Sequence, residues 1–261
     1  MNKIIDVVTT KEDVKLHLQS LGIQKGMLVL VDAAIHNFGY VSGGAQAIIE
    51  ALMEIVGYEG TIVMPSFTME HMDPSCKSEY RIEREHWEYI RQNPMAFHRK
   101  LSAPTSQDAL VHQFMRNEAI ARSCHPLYSF VAWGKYAKLL CDKHPLHFGL
   151  SKDSPLGKIV DLNGYVLLLG CDYKECTMFH LARYHGEQLP IKVVSAAIQQ
   201  NKQVVWKDML DLELVNDDFS IIGEAMEERK VVKTSYLGTG RCRFFSAREA
   251  VRIASAYFNI Q

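Results

Sequence analysis

The chain has 261 residues, with 29 basic and 30 acidic side chains and a net charge of −1 at pH 7. So balanced a charge provides no broad basic surface, which argues against a nucleic-acid backbone or an anionic membrane as partner. The length suits one large α/β domain with a substantial core, so we expect residues 1–261 to form a single domain.

Targeting signals and cysteine spacing narrow the class of protein further. No apolar run reaches the roughly 18 to 20 residues that cross a bilayer, and the start, MNKIIDVVTTKEDV, lacks the apolar stretch of a signal peptide. We therefore expect a cytoplasmic protein. Six cysteines are scattered without CxxC spacing, which predicts reduced thiols rather than a zinc site or a disulfide framework.

The first elements in chain order are a helix and a βαβ unit. Thr10 and Asp13 have the spacing of a capping box at the start of TTKEDVKLHLQSLG, which predicts a helix. The apolar run MLVLVDAAI predicts a strand covered on both faces. A helix in SGGAQAIIEALMEIVG and a strand in GTIVMPSF follow, and strand, helix and strand in that order make a βαβ unit.

A long polar stretch from Met69 to Ala103 then interrupts the alternation, just after a strand end, where α/β proteins place ligand-binding loops. Later patterns predict a helix in TSQDALVHQFMRN, strands in YSFVAWG and GYVLLLG, an antiparallel hairpin in KVVSAAIQQNKQVVWKD and a closing helix in SAREAVRIASAYF. The expected fold class is α/β, with helices on both sides of a central mixed sheet and the hairpin near the C-terminal third.

His180 is the first candidate for chemistry, because it lies in TMFHLARYHGE, shortly after the buried strand that ends at Gly170. If Thr177 caps a helix, His180 lies in its first turn at the carboxyl end of a strand, where open α/β sheets present catalytic groups. The helix dipole and Arg183 both disfavour imidazolium, so the ring would be neutral and able to accept a proton. A structural histidine without chemistry is the alternative interpretation.

A glycine-rich turn follows the first strand, in DAAIHNFGYVSGGAQAI. Glycines at a helix start let backbone N–H groups approach an anion such as a phosphate. The turn matches neither GxGxxG nor a Walker loop, and an ordinary turn capped by Ser42 is the alternative. Four further segments place Ser, Thr or His beside a proline, which predicts rigid loops around a cleft: APTSQD, CHPLYSF, KHPLHFG and SKDSPLGK.

Six segments of the chain match one known pattern in order and spacing: LGIQKGMLVLVDAAIHNFGYVSGGAQAIIEAL, GTIVMPSF, APTS, SCHPLYSFVAWG, HPLHFGLSKDSPLGK and GYVLLLGCDYKECTMFHLARY. From about residue 10 to residue 257 the chain resembles the aminoglycoside 3-N-acetyltransferase family, above all its small Bacillus-type members. The resemblance implies a single α/β/α domain that binds acetyl-CoA, needs no metal and transfers the acetyl group to a small-molecule amine. A homodimer is compatible with this interpretation.

The resemblance also implies roles for individual residues. His180 corresponds to the catalytic histidine of the family's His-x-x-Glu, which removes a proton as the amine attacks the thioester. Glu70 and Asp73 fall where an acceptor amine would be approached. The residues that correspond to the CoA side are Ala33, Ala34, Ile35, His36, Phe38, Thr105, Ser106 and Ser154.

The chain departs from the family at two motifs. The first strand ends in DAAI, from Asp32 to Ile35, where the family commonly has His-Ser-Ser-Leu. The family glutamate of His-x-x-Glu is Arg183, which has five donors and no acceptor and so cannot orient the imidazole. The candidates to replace the glutamate as catalytic partner of His180 are Glu187, if the chain folds back at Gly186, and Asp172 or Glu175 in the loop before the helix.

Several hypotheses follow from these departures. Arg183 could bind an anionic acceptor, which would give a specificity unlike that for polycationic antibiotics. The protein could be a weakened or inactive member that binds CoA or a partner, or a biosynthetic acyltransferase with another acceptor. Cys176, four residues before His180, could form an acyl-enzyme if both lay on one helix face.

Overall fold

A seven-stranded mixed sheet is the largest sheet of the fold. The structure is a computed structural model, which describes residues 7–76, 82–185, 189–213 and 219–258. The strands are β1 (Val8–Thr9), β2 (Leu28–Ala33), β3 (Tyr40–Val41), β4 (Thr61–Pro65), β5 (Ile120–Arg122), β6 (Phe130–Gly134), β7 (Tyr165–Leu169), β8 (Ile191–Gln200), β9 (Gln203–Leu212), β10 (Lys233–Leu237) and β11 (Gly240–Ser246). The helices are α1 (Lys11–Ser20), α2 (Gly44–Val56), α3 (Trp87–Gln92), α4 (Ala109–Phe114), α5 (Ala137–Cys141), α6 (Pro155–Asp161), α7 (Met178–Arg183), α8 (Ser220–Glu228) and α9 (Ala247–Phe258).

The strand order of the large sheet is β10-β11-β7-β2-β4-β6-β5, and β2 lies at its centre. Strand β2 is parallel to both β4 and β7, whereas β6 and β11 are antiparallel to their neighbours. The predicted βαβ unit and the predicted mixed sheet are therefore confirmed. The carboxyl ends of β2, β4 and β7 meet at one edge of the sheet, which we call the carboxyl edge.

The sheet is buried on both faces, as the continuously apolar β2 predicts. Leu28 and Leu30 pack with buried residues of α5, α6, α7 and α9, and Val29 and Val31 pack on the other side with those of α1, α2 and α4. Burying a side chain of this size stabilises the fold by roughly 1.5 to 3 kcal/mol. Because alternate residues of β2 point to opposite faces, this one strand stabilises the packing of helices on both sides of the sheet. The expected α/β/α arrangement is confirmed.

Two helix starts test the capping predictions. The predicted capping box of α1 is confirmed: the Thr10 N–H donates to Asp13 Oδ2 at 2.9 Å, and the Asp13 N–H donates to Thr10 Oγ1 at 3.2 Å. The alternative that Ser42 caps α2 is wrong, since Gly43 occupies the N-cap position in the left-handed region with φ 82° and no side chain caps the helix.

The hairpin of β8 and β9 forms a separate two-stranded antiparallel sheet, as predicted. Asn201 and Lys202 form its turn with φ of 49° and 66°, the positive values that a two-residue hairpin turn requires. Buried residues of its inner face, Val194, Ala196 and Met209, pack against Leu127. No helix in the described residues is both long and apolar enough to cross a bilayer.

Candidate active site

Two adjoining cavities lie at the carboxyl edge of the sheet, with volumes of about 390 Å³ and 370 Å³. We refer to them together as the cleft. The ends of β2 and β4 line the first cavity, and the turn after β2 and the start of α2 line the second. Asp108 lines both, so the two cavities lie side by side.

Asp108 joins the two segments that the CoA side is predicted to use. Its Oδ1 accepts from the Leu110 N–H at 2.8 Å, which caps α4, and its Oδ2 accepts from the Ile35 N–H at 2.8 Å. The turn after β2 is thereby held against the segment that precedes α4. Five of the predicted CoA-side residues consequently line the cleft: Ala33, Ile35, His36, Thr105 and Ser106.

The other three predicted CoA-side residues lie outside the walls of the cleft. Phe38 is fully buried in the core. The Ala34 carbonyl is so close to Gly170 (φ 74°) that a Cβ there would lie 2.8 Å from it, which explains the glycine at the end of β7. Ser154 is buried at the start of α6, where its Oγ accepts from the Leu156 N–H at 3.1 Å.

The start of α2 offers backbone donors to the cleft. Gly43 and Gly44 both have positive φ, 82° and 55°, and Gly44 lines the second cavity. The first N–H groups of a helix have no intrahelical acceptor, and here no side chain caps them. The helix start therefore has the donors and the dipole direction that suit an anion.

The two predicted acceptor-binding carboxylates are both held by neighbouring side chains. Glu70 Oε2 accepts from Thr105 Oγ1 at 2.6 Å, at the margin of the cleft. Asp73 is buried and accepts two hydrogen bonds from Arg91, at 2.8 and 2.9 Å, and two from Ser75. Burial alone would raise the pKa of Asp73, but the bonds from Arg91 and then Ser75 hold it at about 2.

His180 lies in α7 with its ring packed edge-on against Phe219, at 5.1 Å between centroids. Its Nδ1 is buried and has no hydrogen-bond partner among the described residues. Burial, and then the nearby charge of Arg183, lower the pKa of His180 to about 4. The ring is therefore neutral at pH 7, as the sequence predicts, but it is a weak base.

Of the candidate partners of His180, the structure describes Asp172 and Glu175, which are both bonded to other groups. Asp172 caps the short turn before α7, accepting from the Tyr173 N–H at 2.7 Å, and its Oδ1 is 3.2 Å from Arg243 Nη2. Glu187 lies outside the described residues. A catalytic role for any of these side chains stays a prediction.

Arg183 lies at the far end of α7 from the cleft. Its guanidinium lies over the rings of Phe258 and Phe219, at 4.8 and 5.8 Å from their centroids. It lines a separate groove of about 840 Å³ between α7 and the hairpin, together with Tyr184 and Ile191. Helix α7 thus begins at the cleft, which Thr177 lines, and ends at this groove.

Asp32 is a charged cleft residue to which the motif analysis assigns no role. It is 4% exposed and lines the first cavity at the end of β2. Its Oδ1 accepts from Thr177 Oγ1 at 2.6 Å, and its Oδ2 accepts from the Thr177 N–H at 3.1 Å. Burial raises the pKa of Asp32 to about 7, although both bonds from Thr177 oppose this, and Glu175 adds to the rise.

Thr177 takes the N-cap position of α7, as predicted, and His180 lies in the first turn of the helix. The Thr177 side chain makes no capping bond, however: the residue has helical φ and ψ of −60° and −31°, and its N–H and hydroxyl both donate to Asp32. The signal in the sequence is the aspartate itself, since a lone carboxylate at the end of an apolar strand is costly unless it is hydrogen-bonded or functional.

The cysteines are all free thiols, as predicted. Cys176 is fully buried, and burial, followed by the charge of Asp32, raises its pKa well above the ordinary value. A protonated thiol in this position is poorly suited to forming an acyl-enzyme. Among the described residues, no group of three or more His, Cys, Asp or Glu side chains is arranged to hold a metal ion.

Comparison with known proteins supplies the family. A family model described as aminoglycoside 3-N-acetyltransferase matches residues 30–259. The chain belongs to the aminoglycoside 3-N-acetyltransferase family. This family transfers an acetyl group to an amine. The resemblance identified from the sequence motifs is therefore confirmed.

Relatives in this acetyltransferase family match most or nearly all of the chain. The SPbeta prophage-derived aminoglycoside N(3')-acetyltransferase-like protein YokD of Bacillus subtilis (strain 168) is 39% identical over 262 residues, which are 99% of this chain and 96% of YokD. Aminoglycoside N(3)-acetyltransferase III of Pseudomonas aeruginosa is 29% identical over 77% of this chain and 75% of its own length.

Solved structures agree with this family assignment. The crystal structure of YokD from Bacillus subtilis has a TM-score of 0.93 and covers 97% of this chain and 94% of its own. The structure of aminoglycoside acetyltransferase AAC(3)-Xa is 27% identical, with a TM-score of 0.88, and covers 98% of this chain and 96% of its own.

Proposed function

We propose that this protein transfers the acetyl group of acetyl-CoA to the amine of a small-molecule acceptor, and that the transfer takes place in the cleft. The observation that carries the proposal is the junction at Asp108. It holds the turn after β2 against the segment of Thr105 and Ser106, and so brings five of the eight predicted CoA-side residues to the two adjoining cavities of the cleft.

The cleft has features that fit the two chemical halves of CoA. The uncapped N–H groups at the start of α2 suit the phosphates, because a helix start favours negative charge. The first cavity, between the ends of β2 and β4, suits the pantetheine arm, because Met64, Phe67 and Val111 give it an apolar wall for the methylene groups and its polar residues can meet the amides. Acetyl-CoA supplies the activated acetyl group, and the chain positions it and the amine.

The charges of the cleft favour a cationic amine as acceptor. Asp32, Asp108 and Glu175 line the first cavity, and no lysine or arginine does so among the described residues. A negative environment attracts a cationic acceptor and stabilises it near the reacting atoms. An acceptor site for anions at Arg183 has less support, since this guanidinium lies over two aromatic rings at the other end of α7.

A non-catalytic member of the family that binds CoA is the second candidate. The observation that favours it is the Nδ1 of His180, which no described residue orients. His180 as general base is supported by its motif position, whereas its lowered pKa and its packing against Phe219 argue for a weaker role.

An acetylation assay separates the two candidates. Purified protein is incubated with acetyl-CoA and a panel of aminoglycosides, polyamines and anionic amines, and CoA thiol release and product mass are both measured. We expect CoA release that depends on a cationic amine and yields the acetylated product. Binding of CoA by calorimetry without release on any amine would support the non-catalytic candidate instead.

A further inference from the structure

We propose that Asp32 is a positioning residue, which holds the start of α7 through Thr177 and thereby sets where His180 meets the substrates. The inference rests on the proposed function, in which His180 has the motif position of a general base. It is carried by a chain of hydrogen bonds that joins the central strand of the sheet to the first turn of α7.

Asp32 offers a fixed point at the carboxyl edge. It is the fifth residue of β2, the central strand, and it pairs with Leu168 of β7. The backbone carbonyl of Asp32 also accepts from the Cys171 thiol at 3.2 Å, which bonds β2 to the segment that leads from β7 to α7. Because the sheet holds its backbone and the residue is buried, the carboxyl group has a defined place against which a helix can be held.

Thr177 contacts this carboxyl group with both of its donors. Its hydroxyl donates to Asp32 Oδ1 at 2.6 Å, and its N–H donates to Asp32 Oδ2 at 3.1 Å. Thr177 is itself buried, in surroundings where hydrogen bonds are stronger than in water. Two bonds from one residue restrain the direction of the helix start as well as its distance from β2, since a hydrogen bond weakens when it is bent.

The hydrogen bonds continue from Thr177 to His180. The Thr177 carbonyl accepts from the His180 N–H at 3.2 Å, inside the first turn of α7. The helix comprises only Met178–Arg183, which is much shorter than a helix that is stable on its own. Packing in the core orients its apolar side, and the bonds to Asp32 fix its first turn.

The ring of His180 depends on this placement of the backbone. Its described ring contact is the edge-on packing against Phe219, at 5.1 Å between centroids. An aromatic contact of this kind restrains the direction of a ring less sharply than a hydrogen bond does. The place of the imidazole therefore follows that of the first turn, and a displacement of about 1 Å in a reacting group can lower the rate about 100-fold.

A carboxylate is the side chain that can satisfy both donors of Thr177. An ionised carboxylate has two acceptor oxygens and no donor, whereas the amide of asparagine has one acceptor oxygen and an NH₂ group that only donates. The carboxylate lowers stability at neutral pH, because burial, opposed by Thr177 and assisted by Glu175, raises the pKa of Asp32 to about 7. The titratable groups around it carry no positive charge: Glu175, Asp108, Cys171 and Cys176. A buried carboxylate that lowers stability and anchors a helix beside the cleft indicates a functional position.

The kinetic test compares three substitutions at about pH 8, where Asp32 is mostly ionised. Thr177→Val keeps the shape of the side chain but removes the hydroxyl, Asp32→Asn removes one acceptor, and Thr177→Ser keeps both donors. We expect the first two to lower kcat by about 10- to 100-fold and to change KM for acetyl-CoA by less than about threefold. Thr177→Ser should restore most of the kcat that Thr177→Val loses. Glu249→Gln, at a partly exposed carboxylate of α9, is the matched control.

A second measurement follows His180 without turnover. Histidine-selective isotope labelling and NMR record the imidazole signals of the 11 histidines, and His180→Gln identifies those of His180. We expect these signals to shift in Thr177→Val and in Asp32→Asn, and to keep their wild-type positions in Thr177→Ser and Glu249→Gln. Combining Thr177→Val with Asp32→Asn should lower kcat no further than the slower single variant does, since the two side chains act through one contact.

Three results overturn the positioning role. The kcat of both Thr177→Val and Asp32→Asn could stay within about threefold of wild type, or fall while the His180 signals do not move, or the two losses could multiply in the double variant. Where thermal melts show that one single variant is unfolded, the other decides alone by the first two criteria. Wild-type protein that acetylates no amine overturns the proposed function, and NMR then decides the positioning role by itself: shifted His180 signals in Thr177→Val support it, and unchanged signals overturn it.

Discussion

The carboxyl edge of the sheet and the loop after β4 each bury one aspartate, and the two side chains are held in opposite ways. Asp73 in the loop meets a guanidinium, and its pKa falls to about 2. Asp32 at the edge meets only the amide and hydroxyl of Thr177, and its pKa rises to about 7. Both side chains are 4% exposed, but Asp32 lies deeper in the protein and meets only uncharged donors, so it is titratable, whereas the guanidinium keeps Asp73 a permanent anion.

The largest effect that separates the two aspartates is the pH dependence of stability. The folded pKa of Asp32 is raised above its unfolded value of 3.8, so the stability it contributes is present below pH 3.8 and is lost as pH rises to about 7. Asparagine does not titrate, so the Asp32→Asn variant avoids this loss. Between pH 3.8 and pH 7, its free energy of unfolding should rise by about 4 kcal/mol relative to that of wild type. Urea unfolding at several pH values measures it.

Asp73 should show the opposite sign in the same experiment. Its folded pKa is depressed, so its contribution is present above the unfolded value of 3.8 and is lost as pH falls toward about 2. Asp73→Asn should therefore be less stable than wild type at pH 7, and the difference should shrink in acid. Parallel curves for the two asparagine variants would contradict the comparison.

A further prediction concerns Arg91, whose guanidinium lowers the pKa of Asp73 and has no counterpart at Asp32 among the described contacts. Arg91→Met leaves the buried Asp73 with only the bonds from Ser75, and the free energy of unfolding at pH 7 should fall by about 2 kcal/mol. Arg252→Met, which removes an exposed ion pair with Glu249, should leave stability unchanged within error. Equal losses in both variants would show that Asp73 does not depend on Arg91.

The smallest change in stability is expected at a third aspartate, Asp108. Its carboxylate accepts hydrogen bonds from two backbone N–H groups, those of Ile35 and Leu110. Asp108→Ala removes the cap of α4 and the bond to Ile35, and stability should fall by about 1 kcal/mol. Because the turn after β2 is then released, KM for acetyl-CoA should rise more than kcat falls. Steady-state kinetics measure both constants, and an unchanged KM would argue against this turn as part of the CoA site.

The sequence predicts the fold well because the fold depends on local patterns. The apolar run of β2, the amphipathic α2 and the alternation around the Asn201 turn each occur within a few residues of the chain, and all three elements form as predicted. The Ser42 cap fails for a reason that is also local, since Gly43 adopts a left-handed conformation and becomes the N-cap.

The site is predicted less completely because its contacts join distant residues. Thr177 is 145 positions from Asp32, and Asp108 is 73 positions from Ile35. Neither pair has a spacing that a periodic pattern can reveal. The motif resemblance locates the right edge of the sheet and several cleft residues, but only the folded chain shows that Asp32 and Thr177 are partners.

Helix α7 has a consequence for how this molecule can diversify. Its start is anchored to the cleft through Thr177, and its last residue, Arg183, lines the groove beside the hairpin. At a rise of about 1.5 Å per residue, the two ends are about 9 Å apart. A substitution that reshapes the groove for a new molecule therefore acts on the same short helix that donates to Asp32, so a change at the groove also reaches the wall of the cleft.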